Sequence, residues 1–255
     1  MDATMMSDGQ STTPETTHEE SPAEAEAVHH RGGGAFFGRR RGKTLRPLQA
    51  VHMERDLPSL AIPTDLPPGT TLADLFARPM AAYRLEIGFG GGERLVDEVA
   101  REPDIGFIGA EAFFNGVAKA TAAIAQRGLD NVRLYGDDVV PLLDKLPDAA
   151  FERIDLFYPD PWPKRRHWKR RFVRPENLSR IARLLPPGGR FRFATDVEDY
   201  AAWTLRHLLA DARFEWTARR ADDWRRPFAG WHGTRYEAKA IREGRVPGYF
   251  TFRRI

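Results

Sequence analysis

The sequence predicts an α/β fold, a Rossmann-like doubly wound sheet of seven strands, mostly parallel, with an antiparallel edge strand. Three observations carry that expectation. Short apolar runs alternate with segments of helical spacing from Tyr83 onward, the pattern of parallel strands joined by right-handed crossovers. A glycine cluster, Gly88-Phe89-Gly90-Gly91-Gly92, follows the first run and opens a helical segment. The fourth run stops at Pro159-Asp160-Pro161-Trp162-Pro163, where three prolines forbid ladder or helix hydrogen bonds and fix a rigid turn.

Taken in order, residues 1–30 hold seven acidic residues and no Lys or Arg, in a Thr-, Glu-, Ser-, Ala- and Pro-rich composition that cannot build a core. A glycine-flexible basic arm follows, with Phe36, Phe37, Arg39, Arg40, Arg41, Lys43 and Arg46. Residues 1–45 are therefore read as a disordered acidic tail leading into a basic arm, and 46–255 as the folded domain. The arm is either a plain linker or a segment that reaches an RNA backbone. Val51 to Thr70 carries four prolines and reads as an irregular approach, with a short helix over Leu72–Met80 capped by Thr71.

Strands are expected at Tyr83–Ile87, Ile105–Ala110, Val132–Tyr135, Ile154–Tyr158 and Arg190–Ala194. Helices fill the gaps at Glu93–Arg101, Phe114–Arg127, Val139–Leu146, Glu176–Leu185 and Glu198–Asp211. Two final strands, Arg213–Thr217 and Tyr249–Arg253, have no comparable helical pattern between them and should pair antiparallel.

Bulk properties narrow the function classes. The formal charge of +3 hides an asymmetry, because beyond residue 30 the chain carries 39 basic against 29 acidic side chains. A basic domain behind an acidic tail suits a nucleic-acid partner. The absence of cysteine excludes disulfides, thiolate zinc sites, iron–sulfur clusters and a cysteine nucleophile, and fits a reducing cytoplasm. No apolar run approaches the ~18 residues of a membrane span, so no membrane and no metal are expected. A monomer is the simplest expectation.

The candidate site lies where ligands sit in open α/β sheets, past the carboxyl ends of the strands. Glu86 and the loop glycines Gly88 and Gly90 form a Glu-x-Gly-x-Gly run. A dinucleotide fingerprint needs a third glycine where this chain has Glu93. A carboxylate aimed at the loop repels a pyrophosphate but suits a cation, and this spacing is that of proteins binding S-adenosylmethionine. Glu111, ending the second strand, can accept ribose hydroxyls or face a helix N-terminus. Asp138, ending the third, can cap the following helix and touch an adenine. Beyond the proline turn, seven cations fall within Lys164–Arg174, next to one carboxylate, Asp160, and one large aromatic, Trp162. Lys164, Arg165, Arg166, Lys169, Arg170 and Arg171 are candidates to grip phosphates.

With these pieces together, the sequence resembles the tRNA (guanine-N7-)-methyltransferase family. Leu85–Gly90, the segment YPDPWPK with its RRHWKRR continuation, Ala194-Thr195-Asp196 and Thr234-Arg235-Tyr236-Glu237 carry the resemblance. It implies methyl transfer from S-adenosylmethionine to N7 of guanine 46 in the tRNA variable loop. By the same resemblance Glu86, Glu111 and Asp138 match methyl-donor positions, and Asp160 matches the catalytic or guanine-contacting acid. Lys164, Asp196, Thr234, Arg235, Tyr236 and Glu237 match substrate-binding positions. Asp160 either stabilises developing charge or positions the guanine, and Trp162 either stacks on the base or packs beneath the turn. Asp196 also suits a helix N-cap. The alternatives are a methyltransferase acting at another RNA base position and a non-catalytic RNA-binding module.

Overall fold

A computed structural model describes residues 37–255; the acidic segment expected to be disordered lies outside the described residues. Two helices, α1 (Pro47–Arg55) and α2 (Leu57–Leu60), precede the sheet. The alternating region runs β1 (Ala82–Ile87), α3 (Glu93–Arg101), β2 (Ile105–Ala110), α4 (Phe114–Arg127), β3 (Val132–Tyr135), α5 (Val139–Lys145), β4 (Arg153–Phe157), α6 (Pro175–Leu184), β5 (Arg190–Thr195) and α7 (Glu198–Leu209). It ends with β6 (Phe214–Trp216), α8 (Asp222–Arg225), α9 (Arg235–Arg242) and β7 (Gly248–Arg254).

One sheet of seven strands results, in the order β3-β2-β1-β4-β5-β7-β6. The strands from β3 to β5 are parallel, and β7 runs antiparallel to both β5 and β6. Strand order reverses between β1 and β4, which opens a crevice beyond their carboxyl ends. The apolar runs are continuous because both faces are covered. Leu85, Ile87, Ile154, Leu156, Phe191 and Phe193 pack with Leu142, Leu143, Leu178 and Ile181 from α5 and α6. Phe107, Val132 and Leu134 pack on the opposite side with Leu95, Val99, Val117 and Ile124 from α3 and α4. Each such side chain contributes roughly 1.5–3 kcal/mol on burial. No helix among the described residues is long and apolar enough to cross a membrane.

Three expectations are corrected. The first half of the approach, as far as Leu60, is helical rather than irregular, because Pro47 sits at the first position of α1, where its missing N–H costs nothing, while residues 61–70 are irregular as expected. The helix expected over Leu72–Met80 contracts to one turn, Ala73–Leu75, with Asp74 accepting the Thr71 N–H and hydroxyl, while Pro79 bars continuation. Two short helices, α8 and α9, stand between β6 and β7 where no helical pattern was read.

Beneath the crevice, on the α3 side of the sheet, lies a buried ion lattice. Asp155 on β4 is 1% exposed. It accepts both Arg192 Nε and Nη2 at 2.7 Å and Arg153 Nε at 3.0 Å. The Arg94 guanidinium of α3 lies 3.6 Å from the same carboxylate and also pairs with Glu86 of β1 and Glu98. Burial alone would raise the Asp155 carboxyl, but Arg153 and Arg192 override it and hold it well below the usual carboxylate range. A carboxyl depressed in the folded state contributes stability above its unfolded pKa, and that contribution fades as pH falls below about 4. Asp155→Asn should therefore cost about 3 kcal/mol in urea unfolding at neutral pH, with the gap from the parent narrowing on acidification below about pH 4.

Candidate active site

The loop after β1 turns sharply because Gly88 and Gly90 adopt φ values of +74° and +60°, in the region that side-chain-bearing residues avoid. Glu111, one residue past β2, holds this loop in place. Its Oε2 accepts the Gly90 N–H at 2.7 Å and its Oε1 accepts the Phe113 N–H at 2.8 Å. Burial raises the Glu111 carboxyl, an effect the backbone donors partly offset and the nearby charge of Asp160 adds to. Asp138 caps α5 by accepting the Val140 N–H at 3.1 Å, and burial raises its carboxyl too. Capping engages only one oxygen, so the other stays available.

Beyond β4 the chain enters the proline turn through two unusual backbone conformations, Tyr158 at φ +49° and Trp162 at φ +44°. Each costs on the order of 1–3 kcal/mol and needs support from its surroundings. Arg171 supplies it from below. It is 1% exposed, donates from Nε to the Pro161 carbonyl at 2.8 Å, pairs with Asp199, and lies about 5 Å from the rings of Trp168, Tyr200 and Trp203. The turn thus presents Asp160 outward. Among the described residues no hydrogen bond or ion pair satisfies its carboxylate, and desolvation by its surroundings raises its pKa.

Both loops open into one cavity of about 660 Å³. Gly88, Gly90, Glu111 and Asp138 form one wall, and Asp160, Trp162, Lys169 and Arg170 another. Arg235 and Tyr236, at the start of α9, complete the lining with Phe37 and Arg39 of the N-terminal arm. The arm is seated on α4: Phe114 N–H donates to the Arg40 carbonyl at 2.8 Å, and Asn115 Oδ1 accepts the Gly42 N–H at 2.6 Å. Arg40 also reaches across to Asp137 at 2.6 Å.

Several sequence-predicted residues lie elsewhere. Glu86 does not line the cavity. Strand alternation sends Leu85 and Ile87 to one face and Glu86 to the other, where Arg94 engages both its oxygens. The expected aim of its carboxylate at the loop is thereby corrected. The expected phosphate contact by Arg171 is corrected as well, because its guanidinium is inside the protein. Glu237 is buried as the hub of α9's start: it forms a capping box with Thr234 and accepts from Trp231 Nε1 and the Tyr249 hydroxyl. Asp196 pairs with Arg245 at 2.5 Å. Lys164, Arg165 and Arg166 are exposed on the surface next to the turn. Sequence reasoning missed Phe37 in the cavity lining and Arg94 as the buried partner of Glu86. The available signal for Arg94 was its i,i+4 spacing to Glu98 on the same face of α3 as Leu95 and Val99.

The chain also matches known proteins. A family model described as "Putative methyltransferase" matches residues 81–247. The tRNA (guanine-N(7)-)-methyltransferase of Chelativorans sp. (strain BNC1) is 56% identical over 91% of this chain and 100% of its own length. The protein of the same name from Rhizobium meliloti (strain 1021) is 56% identical over 86% of this chain and 95% of its own. Among solved structures, the 16S rRNA methyltransferase KamB overlays 69% of this chain and 89% of its own, with a TM-score of 0.49 and 16% identity. With full-length relatives at this level of identity, the chain belongs to the tRNA (guanine-N(7)-)-methyltransferase family.

Proposed function

We propose that this protein transfers a methyl group from S-adenosylmethionine to N7 of a tRNA guanine, and that the guanine is position 46 in the variable loop. One observation carries the reading: an unpartnered carboxylate, Asp160, shares a single cavity with the acids Glu111 and Asp138. The names of the chain's relatives support the reaction class.

The lining fits such a donor. When bound, S-adenosylmethionine supplies a methyl group activated by a sulfonium cation. Glu111 and Asp138 favour that charge and would oppose a pyrophosphate. Each Glu111 oxygen has spent one lone pair on a backbone N–H and keeps another for a ribose hydroxyl. Asp138 offers its uncapped oxygen to the adenine or ribose. The glycine loop lets the backbone approach closely.

Guanine N7 bears a lone pair and no proton, so no base is needed to activate it. Catalysis then rests on positioning and on charge. Transfer leaves the purine ring positive, and Asp160 stabilises that charge while able to accept from the N1–H and N2–H₂ edge. The guanine must leave its stack to enter the cavity. Lys169 and Arg170 inside the cavity, with Lys164, Arg165 and Arg166 outside it, hold phosphates and make affinity fall with salt. Arg235 and Tyr236 border the same opening. Arg171, Glu86, Asp196, Thr234 and Glu237 act as positioning residues, through the contacts described above.

Incubation with labelled methyl donor and total tRNA, followed by nucleoside identification, should give 7-methylguanosine; a label on an exocyclic amine would refute the assignment. Asp160→Ala should lower kcat by about 100-fold while calorimetry shows unchanged binding of S-adenosylhomocysteine. Because the Asp160 carboxyl is raised, its ionised form is lost, as pH falls, earlier than for an ordinary carboxylate. The parental kcat/KM should therefore decline on the acid side at a higher pH than an ordinary aspartate would give, and Asp160→Asn should flatten that limb. Glu111→Gln should instead weaken S-adenosylhomocysteine binding by about tenfold, the worth of a charged hydrogen bond.

A further inference from the structure

The rings of Phe37 and Trp162 meet edge to face, 6.4 Å apart at an interplanar angle of 79°. In the corner between them lies the Arg170 guanidinium, 4.8 Å from the Phe37 centroid and 4.9 Å from that of Trp162. Both distances fall within the ~6 Å over which a ring quadrupole attracts a cation. Among the described residues no carboxylate pairs with Arg170, and its Nε is buried without a hydrogen-bond partner. A flat, delocalised cation is therefore held by aromatic faces alone, in the wall that also carries Asp160.

We propose that this corner is the seat of the target guanine as it becomes cationic, and that Arg170 is its resident occupant, yielding the place and taking an RNA phosphate instead. The inference rests on the N7-methyltransferase reading. A guanine methylated at N7 belongs to the same chemical class as the guanidinium: planar, delocalised and positive. The neutral base gains only ordinary stacking from the rings, whereas the charged base gains the quadrupole attraction as well. The corner thus binds the transition state more tightly than the ground state. Arg170 gains by the exchange, since a phosphate satisfies the donor that the corner leaves unpaired. Phe37 arrives on the arm that Asn115 and Asp137 anchor, so the corner is complete only when the arm is seated.

Phe37→Leu keeps apolar bulk and removes the π face without disturbing the sheet. It should lower kcat on tRNA by about tenfold, leave S-adenosylhomocysteine binding unchanged, and be rescued by Phe37→Tyr. An unaltered kcat would overturn the proposal. A second measurement needs no turnover: calorimetry of the full chain with 7-methylguanosine and with guanosine, with inorganic phosphate present to receive Arg170, in mildly acidic buffer that keeps the methylated base cationic. The parent should prefer 7-methylguanosine and Phe37→Leu should lose the preference; equal binding of the two nucleosides by the parent would refute the corner. Failure of the parent to methylate tRNA would refute the functional reading instead, and the nucleoside preference would still report on the corner.

Discussion

A single guanidinium, that of Arg94, ties together the strands that carry the two loops bordering the cavity. It sits at the second position of α3, just past the glycine loop, and reaches Glu86 at the end of β1 and Asp155 on β4. The glycine loop and the proline turn therefore leave the sheet from strands locked to one buried cation. Face-on contacts with Phe157 at 4.7 Å and Trp231 at 5.6 Å extend the same hold toward the α9 lobe. Taking these charges out of water is costly, and the lattice is tolerable because nearly every carboxylate oxygen in it meets a guanidinium. Glu86 is held in that lattice, on the face of β1 turned away from the cavity.

Above the lattice the cavity is divided by charge. Carboxylates from the ends of β2 and β3 face the side suited to a positive donor, while Lys169 and Arg170 face the side suited to an anionic acceptor. Asp160 stands between the two and is left without a partner. An acid surrounded by seven nearby cations in sequence would ordinarily be neutralised by one of them. The proline turn prevents this by fixing the backbone so that Arg171 is drawn beneath the turn and spent on Pro161 and Asp199. The strain at Tyr158 and Trp162 is thus coupled to the availability of the carboxylate.

Much of this was legible in the sequence, for physical reasons. The boundaries of β2, β3, α3 and α4 fall where apolar periodicity starts and stops, because both faces of a parallel sheet must be covered. The position of Asp160 followed from the prolines, which end β4 whatever the surroundings. Helix α9 was missed although Thr234-x-x-Glu237 is a capping-box signature, since the helix is short and its apolar stripe narrow. Arg171 was read as a surface cation because a charge run says nothing about which member turns inward. A residual signal existed: Trp168 precedes it by three, and in a tight 3₁₀ turn such pairs share a side. Glu86 was misdirected because the strand's alternation was not followed through to its partner, Arg94, eight residues further on in the first turn of α3.

The central claim is that donor and acceptor meet in one cavity, with the acid of the proline turn opposite the acids of β2 and β3. A crystal structure with S-adenosylhomocysteine bound tests it most directly. The account predicts ribose hydroxyls on Glu111, the sulfur facing Asp160, and Glu86 still held by Arg94. A sulfur turned away from Asp160, or an amino acid tail paired with the Glu86 carboxylate, would contradict it.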